Sequence, residues 1–587
     1  MAAEPPLAPD VRDAACCELL RRSALVENGT EMRLRCALAS LKAGSLPPEL
    51  KCHANLQTGA LFYELTQESA QAVQYIRVSL SLCSRPLRVS ERLRVSVLCA
   101  STSMLQGLVE EGCLKDARVL LETLQGVLQQ PSEAGASASA LQYLDGDVVA
   151  QQLRAHTSVL QVSLLQREGQ LTAAERAVHT ALEAIESLPE SVESELRSTS
   201  ADDGREHVPW APREALQGVA HFLHALVLAQ QGETASATSK LDELLSAAAD
   251  APMGSPPAMG SPRGGSTAAA SATDASSRLV AASRAGLADE ARLLRASMHL
   301  AALEFDDAIA IMQQLSKTLC APADKASGGF GGGLQLRRRH GRTSFLLLQA
   351  HAALSLEQPK QALPLVRKAK AAFDASGHRH FALQQWMELL LLLLDDERDP
   401  SDSAALQEGL KRLGVDEEAK AHRLLRAAVT LHQGETSLAQ GNAEEAERRL
   451  ARAVKLSVGE TRCDVITAVG LTSLAAAVCA QKGDEPATPG EAAEAGEGDE
   501  GEGGRRRRTE DSLSSALMLS ARIEDLHAQR RALHGWATHY EAIGDDAQAK
   551  AFGDLHADFE DKLKRKLEEG ESERRRVLQK LADKAGK

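Results

Sequence analysis

The amino-acid sequence predicts an all-α protein built from stacked helical hairpins, and two observations support that fold class. Hydrophobic residues make up 43% of the 587-residue chain but aromatic residues only 3%, so most of the apolar content is Ala, Leu and Val. This composition favours close packing of helix pairs over the aromatic-rich surfaces of sheets. The second observation is an order of small and large residues that recurs along the chain.

The recurring order is clearest in residues 431–457, LHQGETSLAQGNAEEAERRLARAVKLS, where two helical runs flank a Gly-Asn turn. Its small and large residues are, in order, Gly434, Gly441, Ala446, Leu450 and Ala453. Where two antiparallel helices cross closely, Gly or Ala lets the backbones approach, and a large residue one turn later fills the space. This is the order found in a tetratricopeptide (TPR) repeat.

Similar hairpins are predicted along most of the chain, but at irregular intervals. The residues expected to occupy close helix crossings are Gly59, Ala117, Ala174, Ala237, Ala308, Ala362, Gly434, Ala446, Ala453 and Ala549. Their spacing does not follow the regular TPR period, which indicates degenerate pairs and inserted loops. We therefore predict a right-handed, TPR-like helical-hairpin solenoid, a superhelix with low-complexity loop insertions.

The domain organisation follows from shifts in composition. A disordered tail is expected at residues 1–10 and a divergent solenoid at 11–559, followed by a charged C-terminal helix or tail at 560–587 without a clear apolar seam. Segments rich in Gly, Ser, Pro or Glu cannot bury a core and are predicted to be flexible insertions. These insertions lie at about 190–207, 251–277, 321–333 and 483–508.

Charge and cysteine usage exclude several classes of protein. The net charge is −14 and the isoelectric point near 5.7, which argues against binding nucleic acid by overall charge. The ten cysteines include no CxxC pair and no zinc-finger spacing, so we expect reduced, mostly buried thiols and no metal or cofactor. The N-terminus lacks the apolar segment of a signal peptide, and the apolar run at 389–394 is too short to span a bilayer. A soluble intracellular protein is expected.

Two motifs contain residue types that are found in metal sites or phosphate-binding loops, but neither has the spacing that such a site needs. His378 and His380 are close together, but no carboxylate or cysteine lies at ligand spacing, so a loop or helix-cap role is favoured. The glycine-rich segment 327–333 follows no strand and precedes no Lys-Ser/Thr, which makes it a linker and not a phosphate-binding loop. No catalytic constellation is present, so the sequence predicts a protein that is not an enzyme.

Dense basic clusters occur at Arg505, Arg506, Arg507 and Arg508, and again at 337–342. The first lies in a predicted disordered loop, which makes it a candidate nuclear import signal. The alternative is a solvated charge run beside an acidic stretch. Direct binding of nucleic acid is disfavoured because no aromatic residues are interleaved.

Stacked hairpins leave a concave surface lined by the first helix of each pair, on which an extended peptide or a partner helix can lie. Residues 431–438 are expected to contribute to that groove, and the charged face of the following helix to meet solvent. The first helices are rich in Ala, Leu and Gln, and do not supply the Lys, Asn and Arg clamp with which some TPR domains hold chaperone C-termini.

Several stretches together resemble one family. They are HANLQTGALFYELTQESAQAV at 53–73, a repeat opening with Trp210-Ala-Pro-Arg-Glu at 208–237, and the hairpins at 432–457 and 522–559. In order and spacing they resemble the Mau-type chromatid cohesion factor, the TPR subunit of the cohesin loader complex. The resemblance covers most of the chain outside three of the insertions. These three, at 251–277, 321–333 and 483–508, depart from the family pattern.

The resemblance implies a partner and a location. Members of this family wrap around the extended N-terminal segment of the large adherin (Nipped-B type) HEAT-repeat subunit as an obligate heterodimer. That complex supports cohesin loading onto chromatin in the nucleus and sister-chromatid cohesion, while the ATPase activity resides in cohesin. Cohesin and chromatin would be indirect partners, with no membrane contact. The alternative is a TPR scaffold in another large assembly, such as the anaphase-promoting complex.

Overall fold

The structure of the protein is a computed structural model. It describes residues 30–42, 46–65, 68–84, 91–129, 146–188, 213–249, 286–319, 336–375, 381–394, 423–461, 463–481, 502–523 and 525–586. Within these ranges every regular element is a helix, and none is a strand. The protein is an all-α helical-hairpin solenoid, as the sequence predicts.

The helices follow one another as hairpin partners along the chain. Those up to residue 249 are α1 (Thr30–Lys42), α2 (Pro48–Leu65), α3 (Ser69–Cys83), α4 (Glu91–Glu111), α5 (Leu114–Leu128), α6 (Gly146–Arg167), α7 (Leu171–Glu186), α8 (Arg213–Gln231) and α9 (Thr234–Ala249). The later ones are α10 (286–301), α11 (Phe305–Leu319), α12 (Leu336–Ser355), α13 (Pro359–Ala375), α14 (Phe381–Leu393), α15 (Arg423–Ala439), α16 (Ala443–Leu456), α17 (Asp464–Ala480), α18 (Glu502–Arg522), α19 (Leu526–Ile543), α20 (Asp546–Glu568) and α21 (Glu571–Gly586). A short π-helical segment, Ser457–Thr461, joins α16 to α17. None of the described helices is long and apolar enough to cross a membrane.

Most of the described hairpin turns share one backbone feature, a residue in the left-handed conformation just after the first helix. Glycine takes this position, with φ between 73° and 87°, at Gly112, Gly169, Gly232, Gly441 and Gly544. Glycine is favoured there because a Cβ is strained at positive φ. The corresponding turns before α11 and α13 use Leu303 and Glu357, with φ of 57° and 55°.

The chain divides into two compact units. One comprises Met1–Leu164, Arg176–Ala220 and Pro262–Val280, and the other Leu165–Glu175, His221–Ser261 and Ala281–Lys587. The described core of the first unit runs from α2 to α6 and includes Ile76, Leu108 and Leu124, all buried. A Cβ placed at Gly59 would lie 2.9 Å from the Ile76 side chain, so α2 and α3 cross with almost no space between them.

The largest described core of the second unit joins its middle hairpins to the C-terminal helices. Phe305, Phe345 and Met387 from α11, α12 and α14 are buried together with Leu563 of α20. The apolar side chains of α21 that enter this core are Val577, Leu578, Leu581 and Ala582. The expectation that residues 560–587 lack an apolar seam is therefore wrong, because these residues form one stripe at helical spacing.

Hairpin turns in the second unit also contact helices far along the chain. A Cβ at Gly169 would lie 3.2 Å from Thr461 Cγ2 and 3.3 Å from Arg423 Cβ. A Cβ at Gly232 would lie 2.3 Å from Ile523 Cγ2. These two turns of the unit therefore pack directly against segments of the same unit that lie far along the chain.

Several sequence expectations concern residues outside the described ranges. These are the tail at 1–10, the insertions at 190–207, 251–277 and 321–333, Trp210, and the His378 and His380 pair. The insertion predicted at 483–508 is partly described, and there the expectation of a loop is wrong. Helix α18 begins at Glu502, so the arginines at 505–508 are helical.

Candidate functional site

The last three hairpins place their first helices side by side. Helices α15, α17 and α19 each pair with the helix that follows, and α17 contacts both α15 and α19. First helices line one face of a stack of hairpins, so polar side chains that bridge these three helices are candidates for recognition.

A polar network centred on Glu435 bridges these helices. The Glu435 Oε1 atom accepts a hydrogen bond from Ser473 Oγ at 3.0 Å and another from Arg531 at 3.1 Å. The Nδ1 atom of His432, one turn earlier on α15, lies 3.3 Å from Glu435 Oε2. One carboxylate thus ties α15 to α17 and to α19.

The surroundings of Glu435 favour its ionised form. Burial raises the pKa of this carboxyl, but hydrogen bonds from His432 and Ser473 and the charge of Arg531 oppose burial, and the net pKa lies below its ordinary value. The carboxylate is therefore ionised at neutral pH and holds its donors by charge-assisted hydrogen bonds.

The network is open to a partner on one side. The side chain of Arg531 is 54% exposed and that of His432 is 35% exposed, whereas that of Glu435 is 25% exposed. Guanidinium and imidazole N–H groups that are held in place by a carboxylate can donate to carbonyl or carboxylate oxygens of a bound chain. Because the Ser473 hydroxyl donates to a carboxylate and not to an imidazole, this geometry favours recognition over nucleophile activation.

Helix α19 extends the polar face toward the turn between α12 and α13. Arg530 NH1 lies 3.3 Å from Glu357 Oε1, at the left-handed residue of that turn. Burial lowers the pKa of His527 on the same helix, and the charge of Asp525 opposes this shift. Arg530 and Arg531, near the start of α19, are thus each paired with a glutamate.

One set of described residues has donor atoms close enough to hold a metal ion. His299, Glu304 and Asp307 offer ligand atoms within 4.8 Å of one another at the α10–α11 turn. His299 Nδ1 lies 2.6 Å from Glu304 Oε2, so a hydrogen bond between the two already accounts for their proximity. Both acidic residues are exposed, as acidic residues at a helix N-terminus commonly are.

The structure places the sequence-predicted site residues in two different settings. The ten expected packing residues, from Gly59 to Ala549, are all buried in hairpins. A Cβ at Gly434 would lie 2.6 Å from Leu450 Cγ. The arginines at 505–508 lie on an exposed stretch of α18, where Arg506 Nε donates to Glu510 at 2.9 Å.

Sequence reasoning missed the Glu435 network. Its members are far apart along the chain, with Ser473 and Arg531 lying 38 and 96 residues after Glu435. The only local signal is that Glu435 directly follows Gly434, because a carboxylate beside a close helix crossing needs a partner.

No model of a known protein family matches this chain, and no curated protein matches it significantly.

Proposed function

We propose that this chain is a non-catalytic scaffold subunit that binds the extended N-terminal segment of a large adherin (Nipped-B type) HEAT-repeat subunit. In that role it supports cohesin loading onto chromatin and sister-chromatid cohesion in the nucleus. The observation that carries the proposal is the polar network on adjoining first helices, which leaves Arg531 and His432 partly exposed. The resemblance in residues 53–73, 208–237, 432–457 and 522–559 supplies the identity of the partner.

The physical fit between this face and an extended chain supports the proposal. An extended segment has unpaired carbonyl oxygens along its length, and N–H donors already fixed on adjoining first helices can donate to them without reordering. The arginine and histidine are held by Glu435, so little side-chain entropy is lost on binding. The net charge of −14 suits a partner segment with basic residues elsewhere along its length.

Affinity purification of the tagged full-length chain from its source cells tests the proposal. We expect a very large HEAT-repeat protein to co-purify, and its N-terminal segment alone to be sufficient for binding. Recovery of a monodisperse free protein without such a partner would overturn the proposal. Self-association, or binding of short Ile-Arg tails, would instead favour a scaffold of another assembly such as the anaphase-promoting complex.

A further inference from the structure

A cysteine, a histidine and a glutamate form a row across three neighbouring helices of the second unit, α17, α18 and α19. Cys479 Sγ of α17 lies 3.5 Å from His539 Nδ1 of α19. On the other side of the imidazole, His539 Nε2 lies 3.7 Å from Glu510 Oε1 of α18. This is the order in which a thiol, a base and an orienting carboxylate stand in enzymes with an activated cysteine.

The imidazole of His539 is held in place by its neighbours. Its side chain is only 3% exposed. The ring of Trp536 meets it edge-on at 6.3 Å between centroids, and the ring of Tyr540 lies 5.4 Å away. A buried ring packed in this way keeps its two nitrogens directed at two different partners.

The charge of the nearby carboxylate favours one tautomer of the imidazole. Glu510 Oε1 accepts from Arg506 Nε at 2.9 Å, which fixes the carboxylate beside the imidazole. At 3.7 Å the carboxylate makes no hydrogen bond to Nε2, but its negative charge favours the tautomer with hydrogen on Nε2, which leaves the lone pair of Nδ1 facing the thiol. The thiol can then pass its proton to the imidazole, and the thiolate is the reactive form.

We propose that Cys479 is a reactive thiol that small hydroperoxides oxidise, with His539 as its base and Glu510 as a positioning residue. The thiol proton moves to His539 Nδ1 and the thiolate attacks one peroxide oxygen. The S–O bond forms as the O–O bond breaks, and the departing oxygen takes the proton from His539. The cysteine is oxidised to a sulfenic acid, and the hydroperoxide is reduced to water or an alcohol.

Two other cysteines serve as internal references. Burial raises the pKa of the Cys99 thiol to about 12, and burial likewise raises the pKa of Cys463. Both are expected to stay unreactive while the protein is folded, whereas Cys479 is only partly buried. Cys463 precedes α17, the helix that carries Cys479, so its reactivity also reports local unfolding.

The test treats the folded full-length chain with hydrogen peroxide, traps sulfenic acid with dimedone, and quantifies each cysteine peptide by mass spectrometry. We expect Cys479 to be modified about tenfold faster than the partly buried Cys36, because a thiolate reacts with peroxides much faster than a thiol and His539 lies within reach of the Cys479 proton. His539→Gln should remove most of that advantage. Glu510→Gln should lower the rate severalfold, and Asp511→Asn, an exposed neighbour on the same helix, should leave it unchanged.

The thiolate itself gives an independent readout. Alkylation by iodoacetamide and the ultraviolet absorbance of the thiolate should both fall in Glu510→Gln, which a purely structural role of this residue would not cause. If Cys463 becomes reactive in His539→Gln, that variant is locally unfolded. The proposal is then judged from the Glu510→Gln variant alone. Equal modification rates for Cys479 and Cys36, or unchanged alkylation in a folded Glu510→Gln protein, would overturn the proposal.

Discussion

Gly434 lies where α15 and α16 approach most closely, and its missing side chain makes that approach possible. Leu450, which fills the space beneath it, is fully buried and has little room to move. We predict that Gly434→Ala destabilises the protein by about 1–2 kcal/mol, because overpacking outweighs the gain in helix propensity. Urea unfolding followed by circular dichroism measures the change.

Gly553 provides the matched control for that substitution. It lies in α20 of the same unit, and a Cβ there would meet nothing within 4 Å. Gly553→Ala should therefore stabilise the protein by up to about 1 kcal/mol. If both substitutions stabilise the protein, the close crossing at Gly434 does not exist in solution.

The stability of the protein should depend on pH through Glu435. Its pKa is lowered in the folded protein, so its stabilising contribution is complete above its unfolded pKa of about 4.3 and is lost as the pH falls through the folded value. Glu435→Gln should destabilise the protein by about 1 kcal/mol at neutral pH, and this difference should shrink below about pH 4.

Denaturant unfolding at several pH values measures that difference. Glu560→Gln, an exposed residue in the middle of α20, serves as the control and should give a difference near zero throughout. A difference between wild type and Glu435→Gln that stays constant down to pH 3 would contradict the assigned network.

At the scale of the element, α21 shows how a highly charged helix can still dock. Arg574 is 9% exposed, pairs with Asp306 at 3.1 Å, and lies 5.0 Å from the centroid of the Phe305 ring. Its NH1 atom also donates to the carbonyl of Lys566 at 3.1 Å. The buried stem and the ring contact contribute more than the ion pair, because the Asp306 side chain is 83% exposed.

We predict that Arg574→Ala loosens α21 and destabilises the protein by about 1–2 kcal/mol. The neighbouring Arg575, which is half exposed and pairs with Glu571 within the same helix, is the control, and Arg575→Ala should change stability by less than about 0.5 kcal/mol. Hydrogen exchange of the α21 amides should rise in the first variant alone. Equal exchange in both would show that Arg574 does not anchor the helix.

The elements differ in how far the sequence could predict them. The Gly-Ala-Leu-Ala order predicts the α15–α16 hairpin because its signal is local. The stripe around Leu578 and Leu581 in α21 was hidden by the surrounding charges, which dominate composition even when a narrow apolar seam is present. Leu303 and Glu357 could not be recognised as turn residues, because non-glycine residues rarely adopt positive φ.

At the scale of the whole molecule, contacts between distant hairpins lie beyond local sequence patterns. Glu435, Ser473 and Arg531 meet only because three hairpins stack in register. The contact of Gly232 with Ile523 likewise depends on how the second unit folds back on itself. The fold class is thus readable from local periodicity, whereas the candidate site is not. The handedness of the superhelix stays a prediction.

Substitutions at two turn glycines can distinguish the cost of backbone strain from the cost of a lost long-range contact. Gly441→Ala adds a Cβ that meets nothing within 4 Å, so it should cost about 1 kcal/mol from positive φ alone. Gly232→Ala adds the same strain and a collision with Ile523, whose β-branched side chain cannot rotate away, so we predict a loss of about 2–4 kcal/mol. Denaturant unfolding compares them, and equal losses would argue against that long-range contact.

The central claim is that the first-helix face around Glu435 binds an extended partner segment. The most direct measurement is the affinity of the full-length chain for the purified N-terminal segment of the large adherin subunit, by fluorescence anisotropy. We predict that the wild type binds, that Arg531→Glu binds about tenfold more weakly, and that Arg448→Glu, an exposed arginine on α16, binds as the wild type does. No binding by the wild type, or equal weakening by the two variants, would contradict the claim.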